Sequence, residues 1–300
     1  MEAGSTLYGY MKAKSGNDAY YMVGGDNSDA LLAGKIIPMG GSDLTVKVGV
    51  VKEGKGTYRI TGNENLITGA VRVLQGAVMA NNDREQAEKD KLPGAVGQMK
   101  DAATPGVYVM KKGTVGGVGS IASTIDLYGT LEPGDGGIGK LTVRNYASGT
   151  QPNIVLHPAS KIVAEVTDPD RYDRLDVGGS FSYSNKTEDF AVSDKMPRVV
   201  IQLTSNPTLQ PGDELTLLTA RAKEGDWTFD IRYPKQYTWK VEERKTSDGQ
   251  YALVARVVSL EYGGQGDVED DDEDVETPDD VQLDLEKEMT DSRDQHLQIS

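Results

Sequence analysis

The chain has 300 residues, 37% of them hydrophobic, with 35 Gly but only 3 Phe and 2 Trp, so it holds one or two domains around a thin, turn-rich core. It has no Cys, which excludes disulfides, thiolate metal sites and a cysteine nucleophile. Residues 263–300 carry 15 acidic side chains against Lys287 and Arg293, leaving a net of −2 of the total −15 for residues 1–262, a near-neutral body that offers no basic stripe to nucleic acid or to an anionic membrane surface.

No apolar run is long enough to cross a bilayer as a helix, so no transmembrane segment is expected. The opening residues 1–10, MEAGSTLYGY, lack a basic and then apolar leader and read as the start of a fragment with no signal peptide. Up to residue 81 the chain falls into short runs, among them DAYYMVGG (18–25), ALLAGKIIP (30–38), DLTVKVGVV (43–51) and GTYRITG (56–62). Each has the length of a strand. In GTYRITG, Thr57, Arg59 and Thr61 alternate with Tyr58, Ile60 and Gly62, a period of two that sends one set inward and the other outward. Turns such as GGDNSD and MGGSD supply residues that tolerate positive φ.

Residues 83–105 interrupt this rhythm with charge, Ala and prolines and are expected to form a solvent-exposed excursion, with room for a short helix over Arg84–Leu92 stopped by Pro93 and Gly94. From Gly106 the strands resume: GVYVMKKGTVGG (106–117), GSIASTIDLYGTLEPGD (119–135), GIGKLTVRNYASG (137–149), NIVLHPASKIVAEV (153–166) and DRLDVGGSFSYS (173–184). The spacing leaves almost no room for helices and predicts an all-β chain, compatible on this ground alone with a sandwich, a barrel or a stack. Residues 195–262 are richer in large side chains, and Trp227, Phe229, Trp239 and Tyr251 are expected to close the end of the β region as a cap. Residues 263–300 read as a disordered acidic tail or a linker to further domains of a longer polypeptide.

Two stretches are specific enough to suggest a family. GTYRITGNENLITGAVRVLQGAVMANN, residues 56–82, resembles the passenger-associated repeat of autotransporter-type proteins through Gly56, Thr57, Gly62, Asn65, Thr68, Gly69, Val73, Gly76 and Asn82. GTVGGVGSIASTIDLYGTLEPGDGGIGKLTV, residues 113–143, is similar to a coil near the end of such passengers through Gly129, Thr130, Leu131, Pro133, Gly134, Gly139, Leu141, Thr142 and Val143. The resemblance implies a right-handed parallel β-helix of the pectin-lyase-like, passenger-like kind: coils over residues 1–194 and a closing cap over 195–262. It also implies an exported protein at the surface of, or outside, a Gram-negative bacterium. The excursion at 83–105 and the acidic tail depart from the family, and its membrane barrel has no counterpart here.

No catalytic, cofactor-binding or metal-binding residue is assigned from the sequence, and no cofactor is expected. Gly117, Gly119 and Ala122 have dinucleotide-fingerprint spacing, but a strand rather than a helix is expected to follow, so they read as a coil corner. Asp168, Asp170, Asp173 and Asp176, with Arg171 and Arg174, have the density of an acid–base pair or a Ca²⁺ site, and read more simply as a solvated turn. His157, ahead of Pro158, reads as a rim residue without carboxylate framing, and His296 is its only fellow histidine. The DVEDDDED run lacks the spacing of a calcium loop, and Asn185, Lys186 and Thr187 form a glycosylation sequon of little meaning in a bacterial protein. Tyr8, Tyr10, Tyr20 and Tyr21 offer a sugar-stacking face or simply follow strand propensity. The expected function is a non-catalytic surface module, a stalk, scaffold or adhesin, with polysaccharide or host glycan as partner. The alternative is an accessory module of a secreted polysaccharide-degrading enzyme.

Overall fold

The computed structural model describes residues 6–9, 19–38, 48–97, 105–147, 149–158, 160–184, 198–203, 208–232 and 237–260. The acidic segment 263–300, His296, Tyr10 and the sequon at 185–187 lie outside the described residues. The described chain is all-β apart from one short helix. In order it forms β1 (Thr6–Gly9), β2 (Ala19–Val23), β3 (Ala30–Leu32), β4 (Lys35–Pro38), β5 (Val48–Lys52), β6 (Thr57–Ile60) and β7 (Val71–Ala80). Helix α1 (Arg84–Lys89) follows, then β8 (Pro105–Gly117), β9 (Ser120–Ile121), β10 (Thr124–Leu127), β11 (Thr130–Pro133), β12 (Lys140–Val143) and β13 (Ile154–Leu156). The last group is β14 (Lys161–Asp168), β15 (Arg171–Tyr172), β16 (Arg174–Tyr183), β17 (Arg198–Leu203), β18 (Glu214–Glu224), β19 (Asp230–Arg232), β20 (Tyr237–Lys245) and β21 (Tyr251–Leu260).

Most pairings are parallel and join strands far apart in sequence, so the chain travels around a loop before each strand finds its partner. Three ladders result. The first joins β2, β5, the start of β7, the start of β8, β10, β13 and the end of β16, in the register Tyr21, Val50, Val71, Val107, Ile125, Ile154, Phe181. The second joins β3, β6, the end of β7, the end of β8, β11 and β14 through Ala30, Tyr58, Val78, Val115, Leu131 and Ile162, and continues into β17 and β19. The third joins β9, β12, β16 and β18, with Leu141, Leu175 and Leu218 in one file and Val143, Val177 and Ala220 in the next, while β1 and β4 pair parallel in a separate two-stranded sheet.

These files form the core. Val50, Val107, Ile125, Ile154 and Phe181 have no exposed surface, nor have Val78, Val115, Leu131, Leu141 and Val143. β-Branched residues suit these positions because a parallel strand covered on its inner face packs a branched side chain against the identical position one strand away, about 4.8 Å off. Each such burial contributes about 1.5–3 kcal/mol. The outer faces carry the alternate residues, as the half-buried and buried alternation along β6 and β14 shows.

At the corners, asparagine side chains tie one turn of chain to the next. Asn65 is fully buried; its Oδ1 accepts from the Ile36 N–H at 2.7 Å while its Nδ2 donates to the Gly62 carbonyl at 3.1 Å. Asn82 Oδ1 accepts from the Ser120 N–H at 2.7 Å, and Asn153 Oδ1 from the Ser180 N–H at 2.8 Å. A corner backbone cannot reach the ladder, so a short amide side chain satisfies it instead.

Helix α1 starts at its N-cap, Asp83, whose carboxylate accepts from the Gln86 N–H at 3.0 Å, and buries only Ala87. Part of the expected 83–105 excursion lies inside the stack. Gly94 bridges Glu64 and Val96 bridges Ile121, so residues 94–97 are buried within the stack. Two aliphatic side chains after a helix stop were enough for the chain to rejoin the third ladder.

Toward the C-terminal side the pairing changes sense. β18 pairs antiparallel with β21, and β21 antiparallel with β20. Val166, Tyr172, Leu209, Leu215, Leu217, Tyr237, Trp239, Ala255 and Val257 form a second apolar cluster there. Trp227 and Tyr251 instead belong to the main core, where the Trp227 ring meets Phe229 edge-on at 4.9 Å.

Candidate functional site

The Asp168–Asp176 group does not act as one unit. Asp168 is the half-buried last residue of β14, where its Oδ1 accepts from the N–H groups of Asp170 and Arg171 and its Oδ2 from Arg171 Nε at 2.8 Å. The Arg171 side chain holds the Asp168 carboxyl below its ordinary value. Asp176 lies on the outer face of the third ladder, 3.4 Å from Lys140 Nζ, 3.5 Å from an Arg144 nitrogen and 3.2 Å from Thr219 Oγ1. The Arg174 guanidinium stacks over Tyr172 at 4.5 Å.

Asp173 differs from the solvated turn expected for it. It is wholly buried, with Oδ1 accepting from the Gly139 N–H at 2.7 Å and Oδ2 from the Glu165 N–H at 2.9 Å. Burial pushes its carboxyl up to about 7, reinforced by the negative charges of Glu165 and Glu132 and opposed by the two N–H donors. The alternation along residues 171–177 places Tyr172 and Asp173 together inside because β15 ends and β16 begins there, a break that periodicity alone does not show. With no exposed surface and both oxygens occupied, Asp173 has no face to offer a substrate.

His157 is also not a rim residue. Only 3% of it is exposed, its ring stacks on Tyr128 with centroids 3.7 Å apart, and Nε2 is hydrogen-bonded to Asp126 Oδ1. The carboxylate framing comes from the neighbouring turn of chain: Leu127 registers with Leu156, which carries Tyr128 and His157 side by side. Its Nδ1 is buried without a hydrogen-bond partner among the described residues.

Tyr20 and Tyr21 do not share a face. Tyr21 registers with core Val50, whereas Tyr20 points outward with the Arg72 guanidinium 5.2 Å from its ring centre. Gly117 and Gly119 lead into β9 and β10, strands rather than a phosphate-cradling helix. Among the described residues no group of three or more His, Asp or Glu is arranged to hold a metal ion.

The residue that sequence reasoning missed is Lys52. In the register of the first ladder it stands in the inward file with Val73, Val109, Leu127 and Leu156, and it has no exposed surface. Its ammonium donates to the carbonyls of Glu53, Gly54 at 2.6 Å and Gln75 at 3.3 Å. Burial lowers its pKa, opposed by the charges of Asp29, Asp26 and Glu53. The corner around it is built from Gly54 and Gly76, with φ of +65° and +70°; a Cβ on Gly76 would lie 2.4 Å from the Gly54 oxygen and 2.8 Å from Lys52 Nζ. The signal was available in the parity of Val48, Val50 and Lys52.

No protein-family model matches the chain, and no curated protein matches it.

Proposed function

We propose that this chain is a non-catalytic, exported β-helical module that serves as a stalk or scaffold at a bacterial surface. Its three parallel ladders wind into a right-handed coil, the hand that strand–crossover–strand connections overwhelmingly adopt. The antiparallel β18–β21–β20 unit closes the last coil. Both stretches that resemble passenger repeats fall on strands of the stack, residues 56–82 on β6 and β7 and residues 113–143 on the end of β8 and on β9 to β12.

The observation that carries this reading is where the buried polar groups spend their bonds. Lys52, Asn65, Asn82 and Asp173 each bond a backbone group of an adjoining turn of chain, which is the work of holding a stack together. A catalytic site instead converges such groups on a shared opening. The test is binding of the whole chain to a panel of plant and host polysaccharides, with reducing-end release measured in the same wells with and without Ca²⁺. Silence, or binding without turnover, is the expected outcome, and binding would make glycan the partner. Turnover that follows the purified protein would overturn the non-catalytic reading.

A further inference from the structure

The outer face of the third ladder carries a surplus of positive charge. Leu141, Val143, Leu175, Val177, Leu218 and Ala220 are buried in its inner files, so alternation sends Lys140, Arg144, Arg174 and Arg221 outward from β12, β16 and β18. Lys140 registers with Arg174, and Arg84 of helix α1 joins them, its guanidinium donating to the Lys140 carbonyl at 2.9 Å. Arg174 and Arg221 are exposed. The carboxylate in their midst is Asp176, shared by Lys140 at 3.4 Å and Arg144 at 3.5 Å, the long end of ion-pair contact. A second negative charge comes from Glu88 of α1, which acts on Tyr146 together with Arg144, Arg84 and Asp176. Five cations therefore stand against two carboxylates, a surplus that the near-neutral sum over residues 1–262 conceals. Cations of other faces are matched, Lys35 by Glu64, Lys223 by Glu243, and Lys240 and Arg244 by Glu242 and Glu214.

The same chain holds the opposite charge. Residues 267–274 alone carry seven carboxylates. They lie within reach of the basic face. Thr219, hydrogen-bonded to Asp176, pairs with Ala252 of β21, and Leu260 ends that strand eight residues farther on, about 26 Å away. The ten residues that follow, to Asp270, can span up to about 35 Å. A tether this short raises the local concentration of its carboxylates far above that of a free acidic chain in dilute solution.

We propose that the carboxylates of residues 267–274 dock on the outer face of the third ladder of their own chain, drawn by Lys140, Arg144, Arg174 and Arg221. A planar guanidinium takes a carboxylate through two parallel N–H donors, and Asp176 is the internal competitor for two of the four cations. The contact is exposed, so salt weakens it as the range of the field shortens from about 10 Å at 0.1 M to about 3 Å at 1 M. While docked, the segment closes this face to other acidic ligands.

The test uses the full chain, which has no Cys of its own. A nitroxide attached at Val275→Cys broadens the amide signals that it approaches, read by NMR. At low salt the amides of Thr142, Arg144, Asp176 and Thr219 are expected to lose most of their intensity, while those of β10 and β13 keep theirs. Salt at about 1 M should restore the lost signals. So should Arg144→Gln combined with Arg221→Gln, outward positions that leave the inner files intact. Asp176→Asn should deepen the loss by freeing Lys140 and Arg144. If the double variant does not fold, the salt response and Asp176→Asn still decide. Broadening spread evenly over all faces, insensitive to salt, or unchanged in the double variant would overturn the docking. Broadening that passes from nitroxide-bearing chains to unmodified chains in a mixture would assign the contact to a second copy and overturn the same-chain form.

Discussion

At the scale of single residues, Lys52 has the most to lose. A methionine there matches the length of the side chain but removes the donor shared by the carbonyls of Glu53, Gly54 and Gln75. Leaving buried carbonyls without a donor costs about 1–3 kcal/mol. Lys52→Met is therefore expected to lower the urea midpoint without changing the slope of the transition. An unchanged midpoint would mean that water reaches those carbonyls once the ammonium is gone. Asp173 and His157 belong to the same scale. Each lay in plain view in the sequence, but partners such as Gly139 for the one and Asp126 and Tyr128 for the other come from other turns of chain. No local pattern announces such a meeting.

At the scale of elements, the strands were legible because alternation and glycine-rich turns are local signals. GTYRITG became β6 with Tyr58 and Ile60 inward, and the short helix expected from Arg84 formed over Arg84–Lys89. Parity also separated Tyr20 from Tyr21, which composition alone had grouped. Less legible was how far the excursion ran, because Ala95 and Val96 return to the stack on the strength of contacts with Ser120 and Ile121. Sense of pairing was illegible too: β20 and β21 read as ordinary strands, and nothing in them distinguishes antiparallel from parallel partners. Their composition does suit an edge, since Lys240, Glu242 and Arg244 on β20 form ion pairs with one another, and Arg244 also with Glu214. A charged edge discourages addition of a further strand. Within the ladders, Leu131 is fully buried between Val115 and Ile162. Leu131→Ala should cost about 2–5 kcal/mol in urea unfolding, since the files on either side cannot close over the void. A cost below about 1 kcal/mol would mean that the inner files are loosely packed.

At the scale of the molecule, the central claim is the parallel stack itself, from which the stalk-like role is argued. A protein without cysteine permits a direct check. On the outer face of the first ladder Tyr108, Asp126, Val155 and Ser182 follow one another in register. Adjacent members stand about 4.8 Å apart, within the span a disulfide closes, whereas Tyr108 and Ser182 are three steps apart, about 14 Å. The measurement is disulfide formation under mild oxidation in two double variants, Val155→Cys with Ser182→Cys and Tyr108→Cys with Ser182→Cys. Parallel stacking in this register requires the first pair to close readily with the fold intact and the second to stay reduced. Closure of the second pair, or failure of the first in a folded protein, would contradict the stack.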